Sequence, residues 1–201
     1  MEITLKANQF RAARHCVPKH DIRYYLMGVL VRVYPDGRVM LAGSNGYCAF
    51  FGAADAEVSE NPPETLSIIV PFDAAKTVGK RQDNVRLRSL EDGKWIMDET
   101  TIFAPVDGMY PDLARVTPER VNGNAATFNP DVLARAHNAV LEWDNMGTKY
   151  APMLRYNGVG AAVMVSHCGK AAAVLMPMRT EGGDIEGPVP FDRSIFNQAA
   201  Q

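Results

Sequence analysis

The chain has 201 residues, 47% of them apolar and 22% charged, with a formal net charge of −2. These are the proportions of a soluble globular protein of one or two domains with a core of useful size. A near-neutral total gives no sign of nucleic-acid binding through bulk charge, and no apolar run reaches the roughly 20 residues of a membrane span. Cys16, Cys48 and Cys168 are odd in number, widely spaced and outside any Cys-x-x-Cys pattern. Reduced thiols in a cytoplasmic protein are therefore expected instead of a disulfide framework. The N-terminus lacks a basic segment followed by an apolar one, so no signal peptide is expected.

In chain order, a short strand is predicted over 3–5 and a helix over 7–16, with Phe10, Ala13 and Val17 at helical spacing and Pro18 as its stop. Strands are predicted over 24–33, 39–42 and 47–51. They are separated by the turns Pro35-Asp36-Gly37 and Ser44-Asn45-Gly46. Residues 59–63 read as a connector. The pattern then restarts, with a strand over 66–70, a short helix opening at Pro71-Phe72-Asp73, and strands over 85–90, 94–97 and 101–104, Glu91-Asp92-Gly93 being a hairpin turn. Residues 110–118, with two prolines, are expected to be extended. A third pass opens with a strand over 125–128 and a helix over 129–143, whose Asn129 cap and Pro130 form a strong start signal. Strands over 153–156, 159–166 and 171–176 follow, with turns at Asn157-Gly158 and Cys168-Gly169. Three strand–helix–strands units of roughly 60 residues each result. The last 22 residues, rich in Gly, Pro and polar types, read as a mobile tail with one sticky spot at Ile195-Phe196.

Five segments, in order, resemble the bacterial β clamp of DNA polymerase III. IRYYLMGVL at 22–30 is similar to the opening of that family's middle domain, and LAGSNGYCAF at 41–50 falls at its Ala-Thr-Asp-Gly turn. IIVPFDAAK at 68–76 resembles the start of the next half-domain, YPDLARVTP at 110–118 the connector to the last domain, and AAAVLMPMR at 171–179 the C-terminus. The resemblance implies an α+β sliding-clamp fold of tandem β-α-β-β half-domains, helices inside and antiparallel sheets outside. It implies a complete domain at 1–118, made of halves 1–62 and 63–118, then a lone half at 119–180 and a tail at 181–201. The departures are large. The family's first domain is absent, the third is reduced to one half, and Gly43-Ser44-Asn45-Gly46-Tyr47-Cys48 replaces a Thr-Asp-Gly-His-Arg type of turn. A shortened, divergent clamp of phage or prophage type is the expectation.

The resemblance further implies two binding surfaces and no catalytic site. Partner peptides would dock in a groove formed by Leu26, Ser44, Gly46, Tyr47, Pro118, Val174, Met176, Pro177, Met178 and Arg179. Aliphatic depressions, soft methionines and a rim charge suit a short extended peptide. Helices lining a central hole would bring Lys6, Arg11, Arg14, Lys19, Lys76, Lys80, Arg81 and Arg135 to duplex DNA, giving sequence-independent phosphate contacts. The third helix is the least basic, Arg135 and His137 standing against Asp131, Glu142 and Asp144. No HExxH, Cys-x-x-Cys, P-loop or GxSxG motif occurs, and His15-Cys16 and His167-Cys168 are adjacent pairs that point apart, so neither an enzyme nor a metal or other cofactor is expected.

A lone half would leave an apolar sheet edge and helix face uncovered, which predicts self-association. With about 12 half-units in the family ring, four copies would close it; a dimer pairing two lone halves is the alternative. The leading function is a DNA-replication processivity factor that tethers polymerase or other replication proteins to duplex DNA. The rival is a decoy or adaptor that keeps the groove without encircling DNA. Asp192-Arg193-Ser194-Ile195-Phe196 loosely resembles the short motif such partners carry, so the tail itself is a candidate ligand, in this groove or elsewhere.

Overall fold

The computed structural model describes residues 1–146 and 151–179; the tail from 180 onward, with its candidate motif, lies outside the described residues. The first unit comprises β1 (Glu2–Lys6), α1 (Ala7–Arg14), β2 (Gly28–Val33), β3 (Val39–Ser44), β4 (Cys48–Ala54) and β5 (Ala56–Val58). The second comprises β6 (Leu66–Pro71), α2 (Phe72–Ala75), β7 (Asn84–Ser89), β8 (Trp95–Met97) and β9 (Thr101–Phe103). A connector carrying the single turn α3 (Leu113–Val116) leads to α4 (Pro130–Trp143), β10 (Leu154–Arg155), β11 (Ala162–Val165) and β12 (Ala171–Leu175). All pairings are antiparallel, in a five-stranded sheet ordered β5-β1-β7-β8-β9 and a seven-stranded sheet ordered β10-β11-β12-β4-β3-β2-β6. No helix among the described residues is long and apolar enough to cross a membrane.

The first two units exchange their opening strands. β1 pairs with β7 from Glu2↔Arg88 to Lys6↔Asn84, and β6 pairs with β2 from Gly28↔Pro71 to Val33↔Leu66. The alternation in β1, with Ile3 and Leu5 buried between more exposed neighbours, is that of a strand with one apolar face. β2 is buried on both faces: Val29, Val31 and Val33 join the main core, and Leu30 joins a second cluster. Such two-sided burial produces a continuous apolar run instead of an alternating one.

The third unit joins this body directly. β12 adds to β4 from Ala171↔Gly52 to Leu175↔Cys48, and α4 packs against α1, β4 and β12. In α4 the buried residues Val132, Ala136, Ala139, Val140 and Trp143 form one helical stripe. Asn129 caps the helix by accepting from the Asp131 N–H at 2.9 Å. The helix face expected to be uncovered is therefore covered by α1.

Several boundaries differ from expectation for identifiable reasons. Residues 24–26 form a turn of 3₁₀ helix before β2 begins at Gly28, because Asp21 accepts from the Arg23 backbone N–H at 2.8 Å and bends the chain there. The 110–118 connector is not fully extended: Asp112 caps α3 through the Ala114 N–H at 3.0 Å. The strand expected over 159–166 is confined to Ala162–Val165, since Gly158 sits at φ +57 in the preceding turn. Residues 125–128 form no strand. β1 and β6 are strands because the companion unit supplies a ladder, whereas the third unit has no companion among the described residues and the Thr127 carbonyl accepts instead from the Met178 N–H at 2.8 Å.

Candidate peptide-binding groove

On the face of the seven-stranded sheet away from α1, Leu30, Ala42, Ala49 and Ile69 make an apolar floor covered by Leu26, Tyr110 and Leu113. The 3₁₀ turn at Tyr24–Leu26, the β3–β4 hairpin tip, α3 and the end of β12 leave between them a cavity of about 210 Å³. Six of the residues assigned to a groove from the sequence line it: Leu26, Ser44, Gly46, Tyr47, Val174 and Met176. Pro118, Pro177, Met178 and Arg179 do not line it; they lie further along the two chain segments that build its walls.

The hairpin tip is held rigidly. Asn45 Oδ1 accepts from the Tyr47 and Cys48 N–H groups at 2.9 and 2.8 Å, and the Ser44 hydroxyl donates to the Cys48 carbonyl at 3.0 Å while accepting from the Gly46 N–H at 3.1 Å. Arg23 lies under the tip, paired with Asp21 through two guanidinium contacts and donating to the Asn45 carbonyl at 3.0 Å. A Cβ at Gly46 would stand 2.3 Å from the end of that guanidinium, which would have to move, and φ there is +82, the left-handed region that favours glycine. The Asp21 hydrogen bond raises the Arg23 guanidinium further above its ordinary value, and the same bond holds Asp21 below the usual carboxylate range. On the opposite wall the Met176 N–H donates to the Tyr47 carbonyl at 2.8 Å, extending the β12–β4 ladder to the groove rim.

Sequence reasoning missed Arg23, Tyr25, Pro111, Leu113 and Val116 as lining residues, and treated Cys48 and Ala49 only as neighbours of the turn. The signal for Leu113 and Val116 was Asp112, a helix cap inside a segment whose prolines pointed to an extended chain. Tyr47, Met176 and Met178 are exposed large apolar residues beside or beyond the cavity, 66%, 40% and 51% accessible. An apolar depression with a soft, exposed methionine rim is the form of a site for one or two anchor side chains of an extended chain.

The basic residues assigned to DNA divide into two groups. Arg11 is buried, pairs with Glu142 at 2.8 Å and donates to the Gly79 and Gln82 carbonyls. Arg14 donates to the Ala75 and Val78 carbonyls at 2.8 and 3.1 Å, and Arg135 to the His15 and Val17 carbonyls at 3.1 and 3.5 Å. All three satisfy backbone carbonyls, Arg11 and Arg14 those of the end of α2 and the loop from α2 to β7 and Arg135 those just after α1, a structural use of the guanidinium fork. Lys6, Lys19, Lys76, Lys80 and Arg81 are exposed. Lys76 is paired with Asp73 at 2.6 Å, and with Lys19 and His20 it rims a wider cleft of about 580 Å³. Among the described residues no group of three or more His, Cys, Asp or Glu is placed to hold a metal ion.

No family model matches the sequence, and no curated protein is significantly similar to it. The fold has many counterparts among solved structures. The Helicobacter pylori β clamp in complex with diflunisal superposes with a TM-score of 0.68 at 13% identity, over 89% of this chain and 66% of that one. The same clamp bound to a DNA ligase peptide gives the same values. The β subunit of Thermotoga maritima DNA polymerase III superposes with a TM-score of 0.63 at 13% identity, over 91% of this chain and 66% of that one. This chain thus matches about two thirds of the length of those proteins. With its two antiparallel sheets and the helices packed on them, the chain has the fold of the bacterial DNA polymerase III β sliding clamps over about two thirds of their length, at low sequence identity.

Proposed function

We propose that the protein is a non-enzymatic, sliding-clamp-like processivity factor: a self-associating scaffold that holds duplex DNA without reading sequence and captures replication proteins by short extended peptides. The observation that carries this reading is the convergence of Leu26, Ser44, Gly46, Tyr47, Val174 and Met176, from three separate stretches of chain, on one apolar cavity. The Helicobacter pylori clamp, of similar fold, is bound to a DNA ligase peptide, which supports an extended peptide as the class of occupant. Burial of one Leu- or Phe-sized anchor supplies about 1.5–3 kcal/mol, so anchor side chains in the cavity would be the main source of peptide affinity. Duplex contacts fall to the exposed Lys6, Lys19, Lys76, Lys80 and Arg81.

The inward engagement of Arg11, Arg14 and Arg135 favours a second reading, an adaptor that keeps the groove and does not hold DNA. One experiment separates the two. The labelled ligase peptide should bind with micromolar affinity and lose about tenfold or more on Met176→Glu. The protein should also remain on nicked circular DNA and slide off the linear form, with weaker retention for Lys80→Glu/Arg81→Glu. Peptide binding without retention on circles supports the adaptor; absence of peptide binding removes both readings.

A further inference from the structure

We propose that the chain carries a ligand for its own groove: the tail pair Ile195-Phe196 enters the apolar cavity beside Met176 of the same chain, and partner peptides bind by displacing it. This regulates the site of the proposed function, and it rests on the reading of that cavity as a peptide groove.

The described residues leave the groove uncovered. Leu26, Leu113 and Val174 give it an apolar lining, and Tyr47 and Met176 stand 66% and 40% exposed at its rim. At about 210 Å³ it is smaller than the roughly 300–1,000 Å³ of sites for compact small molecules, and it suits one or two side chains of an extended chain.

Where the chain leaves the groove singles out the occupant. β12 ends at Leu175, the Met176 N–H donates to the Tyr47 carbonyl, and the Met178 N–H donates to the Thr127 carbonyl, both at 2.8 Å. Arg179 follows three residues beyond Met176, hence no more than about 11 Å from it. In the 22 residues after Arg179, Ile195-Phe196 is the only adjacent pair of large apolar side chains. Ile195 lies 16 positions beyond Arg179, with Gly182, Gly183 and Gly187 in the span between. A linker of that length and composition has an r.m.s. span of roughly 20–24 Å, enough to turn back to the cavity. Such a tether sets an effective concentration on the order of 1 mM, so an intrinsic dissociation constant as weak as ~0.1 mM fills the groove in about nine chains of ten.

Charge favours the same pairing. The tail carries Glu181, Asp184, Glu186 and Asp192 against Arg193 alone. Arg23 is the one charged residue lining the cavity, and although paired with Asp21 it keeps 40% of its side chain exposed. Arg179 is exposed where the tail begins. An acidic segment with an apolar pair thus meets an apolar cavity whose own charge is positive.

Titration of the full chain with the labelled ligase peptide tests this. Ile195→Ala/Phe196→Ala should tighten the apparent affinity about tenfold, and Val189→Ala, elsewhere in the tail, should leave it unchanged. The Met176 methyl resonance should shift on the double substitution, equally at ~10 and ~100 μM protein. Equal peptide affinity in the two forms or an unmoved Met176 resonance overturns the proposal and leaves the groove reading intact. A shift that grows with protein concentration also overturns it, because the occupant is then the tail of another chain. Absence of ligase-peptide binding by both forms removes the groove reading, and this proposal with it.

Discussion

Glu142, near the C-terminal end of α4, joins Arg11 at 2.8 Å and lies 3.5 Å from the His15 imidazole, tying α4 to α1. Those partners, His15 first and then Arg11, lower its carboxyl to about 2 against the desolvation that opposes them. A carboxyl held lower in the folded state stabilises the fold fully above its unfolded value near 4.5, and that contribution is lost as pH falls from there towards 2. Glu142→Gln should cost about 2 kcal/mol at neutral pH and flatten the loss of stability over that acid window, as read by urea unfolding at a series of pH values. Tyr110 is the opposite case. Its hydroxyl is buried beside the Ser44 backbone, has no hydrogen bond of good geometry, and its phenol is pushed upward chiefly by burial. Removing an unsatisfied buried hydroxyl relieves a desolvation cost, so Tyr110→Phe should raise stability by about 1 kcal/mol in the same assay. An unchanged or lowered midpoint would mean that the hydroxyl is satisfied.

Between elements, two glycines set how closely helices approach the seven-stranded sheet. A Cβ at Gly43 in β3 would stand 1.9 Å from the Ala13 carbonyl oxygen, so β3 lies directly on the last turn of α1. A Cβ at Gly52 in β4 would meet Trp143 at 2.7 Å and Ala171 at 2.6 Å, where α4 and β12 dock. Gly43→Ala must move backbone and should cost about 3 kcal/mol, whereas Gly52→Ala meets side chains and should cost about 1–2 kcal/mol. Thermal unfolding ranks them, and the reverse order would refute this account of the contacts. These approaches were invisible in the sequence, where both glycines read only as small residues in strands. The α4 start was legible because a cap and a proline at the first position are local chemistry. The 125–128 strand was misread because a ladder needs a partner, and the pattern of apolar residues does not say whether one is present.

At the scale of the molecule, the groove is made by a turn at 24–26, a hairpin at 44–48, a connector at 111–116 and a strand end at 174–176, far apart in sequence. The resemblance marked six of its thirteen lining residues. It could not mark Leu113 and Val116, whose position depends on the connector crossing the outer sheet face. The basic helices show the converse: a run of positive side chains looks the same whether it meets phosphate or the carbonyls of a neighbouring helix. Only packing separates Arg11, Arg14 and Arg135 from Lys80 and Arg81. By itself, then, the sequence determined the repeated units, most strands, the α4 cap and the Met176-Pro177-Met178-Arg179 tip as a strand end. All of these are written in local periodicity and turn chemistry. The tertiary structure decided that the tip's Met176 forms a groove wall beside Tyr47 and which cations stay exposed. Those properties depend on which distant segments meet, and no local pattern encodes that.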